Sequence, residues 1–202
     1  DVRQALQSLY FPGFREADLY DAVLDTLNRL KDVKGKKSIL LIASGLNTFS
    51  RVNLDQVLNR LKETETTIFA VSVARPLYEW ADSRGMLGDI QRLDFLQAEN
   101  QMGAFARMTG GRAWFPRFEG ELPGIFQQVV ESLRYQYSLA FTPTTTNDGK
   151  YHKIKVELVA PNGQKLVMID QHKKKVKYHI YAREGYLAPK SAEASQEKKK
   201  KK

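Results

Sequence analysis

The sequence contains no cysteine, only three histidines and no long run of apolar residues. Without cysteine there can be no disulfide, no thiolate metal site and no cysteine nucleophile. No apolar stretch approaches the roughly 20 residues of a membrane-spanning helix, so we expect no membrane span. His152, His172 and His179 lie outside any serine-nucleophile motif and lack the spacing of metal ligands. We therefore expect no catalytic residue and no cofactor.

The net charge is +9, but much of it comes from the carboxyl terminus. Removing the five terminal lysines lowers the net charge to about +4, which is ordinary for a domain of this size. Lysines also occupy positions 173–175. These clusters allow the alternative of a nucleic-acid binder, yet no aromatic stacking pattern accompanies them. We therefore expect no nucleic-acid partner.

The stretch Ser38–Thr48 organises the predicted fold. Its apolar run, Ile39–Ala43, follows charged residues and stops at Ser44-Gly45, which is typical of a strand buried on both faces of a parallel sheet. A helix predicted at 19–30 precedes it, and a second buried strand is predicted at 66–74 after another helix. This alternation predicts an α/β fold with a mostly parallel sheet flanked by helices.

Capping and turn residues complete the predicted elements. Asp18 is the expected cap of the helix at 19–30, and Asn53 or Ser50 that of the next helix. Further expectations are an amphipathic helix at 1–10, an irregular excursion over the carboxyl edge at 76–88, a helix through 93–108 interrupted at Gly103, a strand at 112–115, and a helix at 122–133 with Ile125, Phe126, Val129 and Val130 on its buried face.

The composition changes after Arg134, where residues alternate as in strands, starting with 135–142. We divide the chain into an α/β region (1–134), a β-rich carboxyl extension (135–188) and a disordered lysine-rich tail (189–202).

Polar residues cluster where the central predicted strand ends. In open α/β sheets, ligands bind at loops that follow the carboxyl ends of strands. The candidate ligand-binding residues are Ala17, Asp18, Ser44, Asn47, Thr48, Ser50 and Trp80. No carboxylate lies in the cluster from 44 to 50, and Trp80 is the aromatic residue we expect to contact a partner.

Several motifs resemble those of one family. Leu19-Tyr20-Asp21-Ala22 and Leu40–Thr48 are similar to the "L-Y-D-A" and "L-L-I-S-D-G-x-D-T" segments of von Willebrand factor A domains. Further motifs resemble exported proteins related to this family in acidobacteria: Thr109–Ala113, Leu133–Tyr137, the Pro143 loop with Asp148-Gly149, and Ala182–Tyr186. The resemblance implies a von Willebrand factor A-like, Rossmann-like sheet and an exported protein, whether periplasmic, cell-surface or secreted.

The resemblance also implies where a metal-ion-dependent adhesion site would lie. Ala17 stands where the family has threonine, Ser44 where it has aspartate, and the "D-x-S-x-S" loop is absent. Magnesium needs oxygen ligands with carboxylate charge. We therefore expect a degenerate, metal-free site in a non-enzymatic module that binds an unidentified protein. Alternatives are a magnesium-dependent adhesion module completed by upstream residues and an enzyme of unrevealed class.

The first strand of such domains is missing from the sequence. The chain begins at Asp1, without Met and directly in a helical pattern, so we expect its natural start to lie upstream. Without that strand, Ile39–Ala43 would present an unpaired apolar edge. An upstream segment, another chain in a homo-oligomer, or a rearranged sheet is expected to cover it.

Overall fold

The computed structural model describes residues 18–143 and 148–189. In chain order its elements are α1 (Leu19–Arg29), β1 (Ser38–Ala43), α2 (Leu54–Glu63), β2 (Thr67–Ser72), α3 (Arg75–Ser83), α4 (Asp89–Thr109), β3 (Ala113–Trp114), a 3₁₀ turn (Glu119–Glu121), α5 (Leu122–Arg134), β4 (Tyr151–Lys153), β5 (Met168–Ile169), β6 (Lys175–Val176) and β7 (Gly185–Leu187). The helix predicted at 1–10, the candidate Ala17 and the tail from 190 onward lie outside the described residues.

Strands β1, β2 and β3 form a parallel three-stranded sheet in that order. This arrangement confirms the predicted α/β class. The central strand is β2, which is buried from Ile68 to Ser72. The expectation that β1 is an interior strand buried on both faces is wrong for the described part of the chain, where β1 pairs with β2 alone and Leu40 is 36% exposed.

The two faces of β2 contact different helices, because successive side chains of a strand point to opposite faces. Ile68 lies in a cluster with side chains of α1, α2 and α4, and Ala70 packs against α4 as well. Phe69 and Val71 contact Trp114 of β3 and the buried side of α5. Leu40 pairs in register with Phe69 and shares that second face, but α5 packs over β2 and β3. This position of α5 explains the exposure of Leu40.

The turn between α4 and β3 ties the helix to the central strand. The buried Thr109 hydroxyl accepts a hydrogen bond from the Ile68 N–H at 2.9 Å and donates one to the Phe105 carbonyl at 2.8 Å. Gly110 forms the C-cap, as predicted. At Gly111 a Cβ atom would lie 2.0 Å from the Ile68 carbonyl oxygen. Only glycine lets the chain pass this close to β2.

Helix α3 occupies most of the segment where we predicted an irregular excursion. Pro76 lies in its first turn, where a missing N–H costs no helical hydrogen bond. The Tyr78 ring lies 4.7 Å from that of Phe95, which holds α3 against α4. The predicted interruption of α4 at Gly103 is also wrong. The helix is continuous there, because the neighbouring residues Met102 and Phe105 are buried in the core. None of the described helices has both the length and the apolar character needed to cross a membrane.

The strands in the described residues after α5, 135–143 and 148–189, are short. β4 pairs with β7 and β5 with β6, both antiparallel. The alternation at 135–142 predicted a strand, but the structure has none there, and Tyr137 and Leu139 are 93% and 81% exposed. Val130, expected on the buried face of α5, is 51% exposed. Alternation alone does not supply the neighbouring strand that backbone pairing requires, and the β-rich extension is not confirmed.

The Ala182–Tyr186 motif anchors this segment to the α/β region. The Arg183 guanidinium donates hydrogen bonds to the carbonyls of Leu61 and Lys62 at 3.4 and 3.3 Å, where the negative end of the α2 dipole favours a cation. Burial lowers the pKa of Arg183. Glu184 pairs with Arg107 of α4 at 3.2 Å. The motif therefore has a structural role.

We predict that Gly111→Ala destabilises the protein by about 1–3 kcal/mol, because the added methyl group overlaps the Ile68 carbonyl. The matched control is Gly124→Ala on α5, where nothing lies within 4 Å of the new Cβ and stability should rise by up to about 1 kcal/mol. Urea unfolding measures both. Equal stabilities of the two variants would contradict the close approach at Gly111.

Candidate functional site

The loop after β1, residues 44–50, lies at the carboxyl edge of the sheet and is held against α4. Gly45 has φ of +82°, and a Cβ there would lie 2.8 Å from the Met102 sulfur and 2.9 Å from the Ala98 carbonyl oxygen. Both the backbone conformation and the close contact require glycine. The Ser44 hydroxyl accepts the N–H of Leu46 at 3.3 Å, which closes a local turn.

The same loop caps α1 from across the fold. The Ser50 hydroxyl oxygen accepts the N–H groups of Tyr20 and Asp21 at 3.1 and 3.3 Å. The Asn47 side-chain oxygen accepts the Tyr20 N–H at 3.2 Å and the Ser50 hydroxyl proton at 2.5 Å. Asp18 stands at the N-cap position, but its side chain makes no capping hydrogen bond, so that expectation is wrong. Its backbone, at φ −98° and ψ 49°, is outside the extended conformation typical of a capping residue.

Helix α1 also accepts hydrogen bonds, from the backbone that follows the loop. The two Asp21 carboxylate oxygens accept the N–H groups of Arg51 and Val52 at 2.9 and 3.3 Å. Helix α2 then begins with a capping box, in which Asn53 and Gln56 each bond the other's backbone N–H. Asn53 or Ser50 was the predicted cap of α2. Asn53 is that cap, whereas Ser50 caps α1.

The structure brings together only some of the predicted site residues. Ser44, Asn47, Thr48 and Ser50 share the loop, and Asp18 begins the helix that this loop caps. Trp80 lies on α3, not in an irregular excursion, and is 45% exposed with the Arg84 guanidinium 4.3 Å from its ring centroid. Because α3 directly follows β2, Trp80 belongs to an element leaving the same sheet edge as the loop.

One exposed aromatic residue at this edge was not singled out from the sequence. Phe49 lies between the two polar residues Thr48 and Ser50 and is 62% exposed. The neighbouring hydrogen bonds of Asn47 and Ser50 fix the backbone on either side of it. An apolar residue inside a polar loop was the signal available in the sequence.

A second feature that the sequence did not predict is an ion-pair network beyond the ends of β2 and β3. Arg75 pairs with Glu79 and Glu99, each at 3.2 Å, and Arg117 lies 3.5 Å from Glu79. Burial raises the pKa of the Glu99 carboxyl, against the opposing effect of Arg75. Two arginines and two glutamates balance, so the network adds no net charge to the edge.

The end of β2 also carries a buried hydroxyl. Ser72 is 1% exposed, and its hydroxyl has no hydrogen-bond partner within residues 18–143 and 148–189. It pairs in register with Ala43, next to Ser44. Over those same residues, no three histidine, aspartate or glutamate side chains form a group that could hold a metal ion.

No family model matches this sequence, and no curated protein matches it. Among solved structures, the chain is similar to an uncharacterized membrane-spanning protein from Vibrio fischeri, with 20% identity and a TM-score of 0.35. The similarity covers 64% of this chain, and the chain spans 64% of the length of that protein.

We predict that Ser50→Ala destabilises the protein by about 1 kcal/mol, the usual cost of losing a helix cap. Amide hydrogen exchange at Asp21 should accelerate, because its N–H loses the Ser50 acceptor. Exchange at Tyr20 should accelerate less, because the Asn47 side-chain oxygen still accepts that N–H. Ser83→Ala is the matched control, since the Ser83 hydroxyl only donates to the Trp80 carbonyl at an exposed helix end. Unchanged exchange at both amides in Ser50→Ala would refute the capping role.

Proposed function

We propose that this chain is a von Willebrand factor A-like module that binds a protein without catalysis, through the carboxyl edge of its parallel sheet. The observation that carries the proposal is the pair of exposed aromatic side chains, Phe49 and Trp80, on two elements that leave neighbouring strands at this edge. Large aromatic side chains on a fixed backbone lose little conformational entropy on binding and dominate many protein interfaces.

The hydrogen bonds of the loop support a degenerate, metal-free version of the adhesion site. The oxygens of Ser44, Asn47 and Ser50 accept hydrogen bonds from backbone N–H groups. Both carboxylate oxygens of Asp21 do the same. A magnesium ion needs oxygen lone pairs and negative charge that are free to face it. The oxygens of Asn47 and Ser50 each accept two hydrogen bonds, which uses both of their lone pairs. Neutral Ser44 supplies no charge, so these three oxygens fit the ion poorly.

The setting and the partner follow from the family resemblance and from the surface. We propose an exported protein whose ligand is another protein, with no nucleic acid involved. Among the described residues β1 pairs with β2 on one side, and its other edge is where a second copy of the chain or an upstream segment would pair. Either would complete the sheet next to the loop that carries Phe49.

Two alternatives remain with their own observations. Residues upstream of Asp1 carrying "D-x-S-x-S" would supply the missing carboxylate and hydroxyls of a magnesium-dependent module.

For an enzyme, the relevant observation is that His152 donates to Asp148 at 3.0 Å, beside a cavity of about 420 Å³ lined by Phe141 and Tyr186. The hydrogen bond lowers the pKa of Asp148, and a weakly basic, partly exposed carboxylate favours a structural pair over acid–base chemistry.

We predict that the full chain, immobilised, captures a specific protein from the cell-envelope and medium fractions of its source organism. Phe49→Ser with Trp80→Ser should reduce capture by about tenfold or more, a loss typical of removing interface anchors. Val33→Ser with Val176→Ser, two exposed positions on other elements, is the control and should leave capture unchanged. Quantitative mass spectrometry measures the difference. Equal capture by both double variants would refute binding at this edge.

A further inference from the structure

A groove between α2 and α4 presents apolar side chains to solvent. Its volume is about 520 Å³, and its walls include Leu54 and Leu58 of α2 and Leu93 and Leu96 of α4. Leu93 and Leu96 are 63% and 56% exposed. We call this surface the α2/α4 groove.

The wall contributed by α4 is one continuous face of that helix. Its residues recur at helical spacing and change from leucine to amide side chains along the helix. They are Leu93, Leu96, Gln97, Asn100, Gln101 and Ala104. Among residues 18–143 and 148–189, no charged side chain lines the groove, so its chemistry suits the apolar face of a helix rather than a nucleic acid or a charged surface.

The chain enters the described fold beside this groove. The hydroxyl of Tyr20, in the first turn of α1, donates a hydrogen bond to the Gln101 side-chain oxygen at 2.6 Å, and Gln101 lines the groove. On the α2 side, Asp21 bonds the N–H groups of Arg51 and Val52, just before Leu54. The described fold therefore begins next to both walls, and residues 1–17 precede this point in the sequence.

The amino-terminal segment has an apolar face that complements the leucines of the groove. Val2, Ala5, Leu6 and Leu9 recur at helical spacing, with glutamines at positions 4 and 7 on the opposite face. A helix over residues 1–10 is about 15 Å long, and the face from Leu93 to Ala104 spans about 17 Å. Residues 11–17, which include Pro12-Gly13, reach up to about 23 Å when extended, enough to reverse direction.

We propose that the amino-terminal segment docks as an amphipathic helix in the α2/α4 groove, with Leu6 and Leu9 covering Leu93 and Leu96. Attachment next to the groove favours this occupant over a separate chain, because a short tether gives an effective concentration in the millimolar range. The α2/α4 groove is a different surface from the loop 44–50 and Trp80, so docking there does not depend on the proposed function.

The absence of cysteine allows a direct test in the full chain. Leu96→Cys places a single thiol in the groove, and Val176→Cys, on the exposed β6 strand, provides a reference thiol. If the segment covers Leu96, maleimide should alkylate Leu96→Cys about tenfold more slowly than Val176→Cys, equivalent to a docking free energy near 1.4 kcal/mol. Equal alkylation rates would overturn the proposal.

Charge variants of the segment identify the occupant. Adding Leu6→Asp with Leu9→Asp should abolish the protection of Leu96→Cys, whereas Gln4→Asp with Gln7→Asp adds the same charge on the opposite face and should preserve it. Circular dichroism verifies the fold of each variant. If the leucine variant unfolds, Leu6→Ala with Leu9→Ala replaces it and should raise the alkylation rate in the same direction.

Two outcomes would assign the groove to another occupant and refute the proposal. Protection that survives the substitutions at Leu6 and Leu9 would mean that another part of the chain covers Leu96. Protection that disappears on dilution of the protein would mean that a second copy covers it. The proposal requires protection that is independent of protein concentration and dependent on the apolar face of the segment.

Discussion

The contact between the loop after β1 and the first turn of α1 decides what the carboxyl edge of the sheet can do. Asn47 and Ser50 accept the first N–H groups of α1, and Asp21 accepts N–H groups from the end of the loop. The first N–H groups of a helix have no intrahelical acceptors. Here a loop that is distant in sequence supplies the acceptors. The side-chain oxygens of Asn47 and Ser50 are thereby saturated by hydrogen bonds within the protein, and the loop gains a fixed path that exposes Phe49.

A second contact at the other end of the sheet sets the position of α4. The buried Thr109 hydroxyl accepts the Ile68 N–H, and Gly111 passes against the Ile68 carbonyl. Helix α4 in turn holds Gly45 through Met102 and Ala98. The path of the candidate binding loop thus depends on α4, whose position depends on two residues of the Thr109-Gly110-Gly111 turn.

Local patterns predicted α1 and α5 from apolar residues at helical spacing, and β2 from a continuous apolar run. They did not predict α3, because Pro76 and the nearby glycines Gly85 and Gly88 are typical of a loop. The Tyr78–Phe95 contact that holds α3 joins residues 17 positions apart, which no local pattern shows. Nor could they show that Ser50 caps α1, since the bonded residues are 30 positions apart. The predicted order of the strands was enough to choose the candidate site residues. It did not show which of them stabilise the fold, because that depends on contacts between distant parts of the chain.

The central claim is that hydrogen bonds within the protein, and not a divalent cation, hold the edge that presents Phe49. Calorimetric titration of the full chain with magnesium and with manganese tests it most directly. The account predicts no binding heat beyond dilution, for the wild-type chain and for Ser44→Ala alike. Micromolar binding of either ion that Ser44→Ala or Asp21→Asn abolishes would contradict it.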